Sequence, residues 1–101
     1  MAYYHVHGLI PDEISQSEGY KAFEQYIASG APKDNFDGFE LVGRFHACQT
    51  GEFFVILKAN NRSAISEHFG IRRGTFGVEW KIITVLNNEE FLQRNKQLAD
   101  A

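Results

Sequence analysis

The run Phe53-Phe54-Val55-Ile56-Leu57 constrains this chain more than any other stretch. Strand side chains alternate between faces, so Phe53, Val55 and Leu57 point one way and Phe54 and Ile56 the other. Both faces must then be kept from water, as in a central strand covered on two sides. Upstream, across the turn Gln49-Thr50-Gly51, lies Gly43-Arg44-Phe45-His46-Ala47-Cys48, and the two runs together read as a β-hairpin. By the same alternation Arg44, His46 and Cys48 share one face, and Gly43, Phe45 and Ala47 the other.

The remaining elements follow in order. A first strand over Ala2 to Ile10 stops at Pro11-Asp12 and places Tyr3, His5, His7 and Leu9 opposite Tyr4, Val6, Gly8 and Ile10. Ser15 and Glu18 have capping-box spacing, and Tyr20, Phe23 and Ile27 continue as a helix until Gly30 and Pro32. Residues Lys33 to Gly38 read as a polar loop. The hairpin strands span Phe39 to Cys48 and Glu52 to about Ala59. Asn61 caps a short helix carrying Ile65 and Phe69 and ended by Gly70. Gly74 and Gly77 flank the entry to a fourth strand, Thr75 to Leu86. Asn87 and Glu90 repeat the capping-box spacing ahead of a terminal helix with Phe91, Leu92 and Leu98. Trp80, Tyr20, Phe23, Phe69 and Phe91 are expected to pack between sheet and helices.

This is the α+β, ferredoxin-like β-α-β-β-α-β order, an antiparallel sheet with helices on one face, plus a C-terminal helix. At 101 residues and 44% hydrophobic, the chain suffices for one domain over residues 1–101. The sheet face away from the helices would carry Phe54, Ile56, Ile83 and Val85. That is too much apolar surface to leave in water, and pairing with a second copy gives a dimeric α+β barrel.

Charge and composition narrow the partners. A formal net charge of −3 leaves no cationic excess for a phosphate backbone, and Arg72-Arg73 is the nearest approach to a basic patch, so no nucleic acid is expected. The turn-and-strand segment Thr50 to Leu57 also falls short of an RNA-recognition motif: Thr50 stands where a basic residue is needed and Glu52 where a stacking aromatic is needed. One cysteine makes no internal disulfide, and no apolar run approaches bilayer length. The expectation is a soluble, reduced, cytoplasmic protein with no membrane contact.

The element order, the Gly43-Arg44-Phe45-His46 motif with its Gly51 turn, and the ending Val85-Leu86-Asn87-Asn88-Glu89-Glu90 resemble the domain-of-unknown-function 3303 family, from about Tyr3 to Phe91. Phe45 stands where that family's pattern favours tryptophan. The resemblance implies the dimeric α+β barrel fold and a homodimer, and brings no established reaction.

Five residues are candidates for ligand contact: Arg44, His46, His5, His7 and Glu79. A guanidinium and an imidazole two residues apart, about 7 Å along a strand, can converge on a carboxylate or enolate-like oxygen. Arg44 has two fates on a covered sheet face: an ion pair, with Glu79 the best partner, or an anionic ligand. His5 and His7 have the spacing of a metal pair, with His46 or Glu79 available as a third ligand, but the pair alone is weak evidence and no metal and no cofactor are expected. Glu79 could serve as a general base, and Cys48 two residues past His46 lacks the third group a nucleophile needs. The leading expectation is a homodimer binding a small, partly apolar, anionic molecule in its barrel. The alternatives are a cofactor-independent oxygenase or isomerase, by fold-level analogy, and a structural or regulatory dimer without ligand.

Overall fold

Five strands and three helices make up the chain in the order β1 (Ala2–Leu9), α1 (Glu13–Ala28), β2 (Asn35–Phe36), β3 (Phe39–Ala47), β4 (Glu52–Ala59), α2 (Arg62–Phe69), β5 (Glu79–Val85) and α3 (Asn88–Ala99). The structure is a computed structural model and describes residues 1–69 and 77–99. The expected end of α2 at Gly70, the Arg72-Arg73 pair, Gly74 and the start of the last strand at Thr75 lie outside the described residues.

All strands pair antiparallel in the order β2-β3-β4-β1-β5, so β4 is inserted between β1 and β3 as the ferredoxin-like pattern requires. The central position of β4 is what its two-sided apolar sequence demands. On the helix side, Val55, Leu57 and Ala59 join Val6, Phe39 and Ile65 in a fully packed core, flanked by Tyr4, Leu41, Phe53, Phe69, Trp80 and Ile82. Phe69 and Trp80 take the core places expected of them. Phe91 does not: it is 50% exposed on α3, which has no buried residue.

Local chemistry explains the boundaries. Pro11 ends β1 and leaves Asp12 extended, and its carboxylate accepts the Ser15 N–H at 2.8 Å, so Asp12 caps α1 and Ser15, the expected cap, lies in the first turn. The helix closes on a Schellman pair, Gly30 N–H to Ile27 C=O at 3.0 Å and Ala31 N–H to Tyr26 C=O at 3.1 Å. Residues 33–38, expected as loop, contain β2. Asp37-Gly38 makes a two-residue turn with Gly38 at φ +85, pairing Phe36 with Phe39. Asn61 caps α2 through Ala64 N–H at 3.0 Å. Asn87 and Glu90 exchange both capping-box bonds, at 3.0 and 2.8 Å, and set the direction in which α3 leaves the sheet.

One irregularity decides where the functional side chains go. The β3–β4 register slips between Leu41 and Gly43, making Val42 a β-bulge. Phe39 and Leu41 face the helices opposite Ala59 and Leu57. After the extra residue it is Arg44 and His46 that face the helices, opposite Val55 and Phe53.

Candidate functional site

Two sets of polar side chains lie on opposite faces of the sheet. On the helix side Arg44 reaches from β3 to Asp34 and binds it with both guanidinium nitrogens, at 2.9 and 3.2 Å. Only 13% of the Arg44 side chain and 16% of the Asp34 side chain remain exposed. Tyr26 Oη, from α1, donates to the same carboxylate at 2.8 Å and accepts the Lys33 N–H at 2.9 Å. Burial and the bond to Asp34 push the Tyr26 phenol up to about 12. Burial raises the Asp34 pKa, but the bonds from Arg44 and Tyr26 outweigh it and hold the carboxyl below its ordinary value. The Phe23 ring supports Arg44 at 4.7 Å and meets His46 at 4.7 Å. Desolvation, then the Arg44 charge, lower the His46 pKa. His68 on α2 lies flat against Phe39 and bonds the Lys33 carbonyl, and burial lowers its pKa. Asp34, Arg44 and Tyr26 thus find their partners within the protein, and His46, exposed, stands beside them on the Phe23 ring.

Among the described residues no helix covers the other face. Tyr3, His5 and His7 of β1 stand there between Lys58, Ile56 and Phe54 of β4 and Val85, Ile83 and Lys81 of β5. Phe45, 72% exposed, continues the surface across β3 opposite Phe54. His7 Nε2 and Glu52 Oε2 lie 2.6 Å apart, and His7 rests on the Phe54 ring at 5.1 Å. A shallow, largely open depression of about 380 Å³ lies on this face, lined by Tyr3, His5, Ile56, Val85, Leu86 and Asn87. Lys58 lies 5.0 Å over the Tyr3 ring at its rim and 3.7 Å from Glu40. Among the described residues no group of three or more His, Cys, Asp or Glu side chains could hold a metal ion.

The model of the family described as Domain of unknown function (DUF3303) matches residues 1–99. The chain belongs to this family. A comparison of the DUF3303 chain with curated proteins found no match. Among solved structures, that of Rv0793 from Mycobacterium tuberculosis is similar with a TM-score of 0.53 and 16% identity, over 87% of this chain and 98% of that one. At that identity the likeness speaks for the fold alone.

The five candidates of the DUF3303 chain are therefore divided. Arg44 and His46 come together, as their spacing implies, but under the helices. His5 and His7 lie on the open face, and only His5 lines the pocket. Glu79 stands on β5 opposite Leu9 and is exposed, away from Arg44, whose partner is Asp34. The ion-pair fate expected for Arg44 is realised with a different carboxylate, one brought by the segment between α1 and β2. Sequence reasoning missed Asp34, Tyr26 and His68 on one side, and Tyr3, Glu52 and Asn87 on the other. The available signals were weak: Tyr3 shares the alternation of His5 and His7, and Asn87 was visible only as a cap. Among the described residues no helix is long and apolar enough to cross a membrane.

Proposed function

We propose that this chain works as a homodimer whose opposed sheet faces enclose a small, partly apolar, anionic molecule. The observation that carries the reading is a shallow depression of about 380 Å³ on a sheet face that no described helix covers and where Phe54, Ile56, Ile83 and Val85 stand among histidines and lysines. Small-molecule sites are typically concave, roughly 300–1,000 Å³, mostly apolar, and furnished with a few polar groups. Here Ile56, Val85 and Leu86 form the apolar wall, and Tyr3, His5 and Asn87 supply the polar contacts. Lys58, beside the Tyr3 ring, is the nearest cation, shared with Glu40. Arg44, committed to Asp34, takes no part. Dimerisation is supported by Phe45, Phe54, Ile56 and Ile83 sharing one surface, which a two-fold axis would cover on both copies at once.

The test is a titration of the protein with octanoate, a carboxylate with an apolar tail, by calorimetry, alongside sedimentation velocity. Wild type is expected to sediment as a dimer and bind octanoate, His5→Gln to bind it about tenfold more weakly, and Ile56→Asp to yield a monomer or aggregates. A stable wild-type monomer at micromolar concentration rejects the assembly; a wild-type dimer without octanoate binding rejects the ligand.

The His7–Glu52 contact favours a second reading, proton transfer on a bound substrate of the kind an isomerase or cofactor-independent oxygenase performs. A carboxylate at 2.6 Å orients an imidazole for base catalysis. Turnover of an enolisable probe that survives in His7→Gln would exclude His7 as that base.

A further inference from the structure

A second apolar surface of the described chain has no cover. On α3 the residues Phe91, Leu92, Asn95, Leu98 and Ala99 fall within an arc of about 120° at helical spacing, while Glu89, Gln93, Lys96 and Gln97 occupy the other side. Phe91, Leu92 and Leu98 are 50%, 65% and 59% exposed. A stripe of that width is built to be buried, yet no residue of α3 is buried against its own chain. The molecule measures 53 × 28 × 21 Å with a radius of gyration of 15.6 Å, against about 13 Å for a compact chain of this length. The helix stands off the body.

Its point of departure is fixed and significant. Only Leu86 and Asn87 separate β5 from α3, both line the pocket, and the reciprocal bonds of Asn87 and Glu90 set the helix axis at its root. The helix therefore leaves from the mouth of the pocket without closing it. Area points the same way. Four strands spaced as in any sheet, each about seven residues long, present a flat face on the order of 450 Å², short of the roughly 800 Å² per partner that a stable interface buries. A 12-residue helix about 18 Å long, seated on the other copy, adds its own stripe to that face and brings each partner closer to that value.

From these observations the geometry points to an exchanged arm: in the dimer, the Phe91–Leu98 stripe of each copy seats over the Tyr3, His5, Ile56 and Val85 pocket of the other. Each site is then complete only with two chains. A two-fold axis satisfies both arms at once, and the contact is continuous with the sheet-face pairing. This inference rests on the homodimer reading of the preceding section and adds that the pocket's lid comes from the partner.

Two measurements test it. In a Cys48→Ser background, one tagged chain carries Leu92→Cys and a differently tagged chain carries Tyr3→Cys; under mild oxidation the mixture should give a disulfide between the two tags. A chain carrying both substitutions that links only to itself, at dilutions where the dimer persists, would overturn the exchange. The second is complementation with octanoate as probe. His5→Ala spoils a pocket, and the combination Phe91→Asp with Leu98→Asp spoils an arm. Each variant alone should bind at least tenfold more weakly than wild type. Mixed and re-equilibrated, they should regain about one quarter of the wild-type sites, the statistical share when one intact pocket in each mixed dimer receives the intact arm of its partner. No recovery in mixtures shown by sedimentation to be dimeric means that each arm closes its own pocket. A wild type that sediments as a monomer instead rejects the homodimer, and a dimer that cross-links between tags without binding octanoate keeps the arm and rejects the ligand.

Discussion

Replacing Arg44 with alanine leaves Asp34 ionised, largely buried, and held only by the Tyr26 hydroxyl. Breaking a buried ion pair from one side costs about 3–5 kcal/mol. Asp34 keeps one of its hydrogen bonds and a trace of exposure, which brings the expected cost to about 2–3 kcal/mol, with the lost stacking on Phe23 included. For a domain of this size each kcal/mol moves the melting temperature by about 4–8 °C, so a fall of about 10–20 °C should appear in circular dichroism melts at matched protein concentration. His46→Ala, which loses a ring contact and no charge partner, should cost less. Removing both charges with Arg44→Leu and Asp34→Asn should recover part of the loss, because the penalty is chiefly that of the abandoned carboxylate. The pair also has a pH signature. Asp34 titrates below its ordinary value of 3.8 in the folded chain, so its stabilisation is present above that value and is lost as pH falls through the lower, folded one. Arg44→Ala should flatten this acid limb of the stability curve. An Arg44→Ala melt within about 2 °C of wild type, with the acid limb unchanged, refutes the structural assignment and returns Arg44 to the list of free cations.

Three further outcomes are expected. Asn87→Ala removes half of the reciprocal cap and should weaken α3 by about 1 kcal/mol, seen as lost ellipticity at 222 nm with little change in the melt of the sheet. Gly51→Ala should destabilise the fold by about 1–3 kcal/mol, since a Cβ there meets the Ile10 carbonyl oxygen at 2.6 Å on a backbone at φ +74; an unchanged denaturant midpoint would contradict it. His46 should titrate by NMR below the usual 6.5, and Arg44→Ala should raise its pKa by relieving the neighbouring positive charge.

Elements governed by local chemistry were legible in the sequence. The Glu52 to Ala59 strand, the Asn61 cap and the Asn87/Glu90 capping box appear where their residues imply, because each depends on groups within four residues of one another. β2 was hidden because residues 33–38 are polar enough to read as loop, although Asp37-Gly38 carries a hairpin turn's chemistry. The start of α1 held two rival caps, and the carboxylate of Asp12 prevailed over the hydroxyl of Ser15. The open sheet face was correctly composed in outline, since Phe54, Ile56, Ile83 and Val85 follow plain alternation on regular strands. The site was not. Its error began at Val42: alternation carried forward from Phe39 and Leu41 turns Phe45 inward and Arg44 outward, and nothing in the side chains announces the extra residue. The partner of Arg44 was equally hidden, because Asp34 is delivered by the way α1 ends and β2 begins.

The bulge at Val42 makes β3 a strand in which chain length matters more than residue identity. Deleting that one residue would restore regular pleating and, with the Phe39–Ala59 pairing kept, rotate Gly43 through Ala47 by half a turn. Phe45 would enter the helix layer, Arg44 and His46 would emerge on the open face, and the Asp34 carboxylate would lose its cation without any of these side chains having been mutated. A single-codon insertion or deletion here exchanges a sealed ion pair for an exposed anion receptor, so two chains of this fold that differ by that codon could carry the same arginine and histidine to opposite ends.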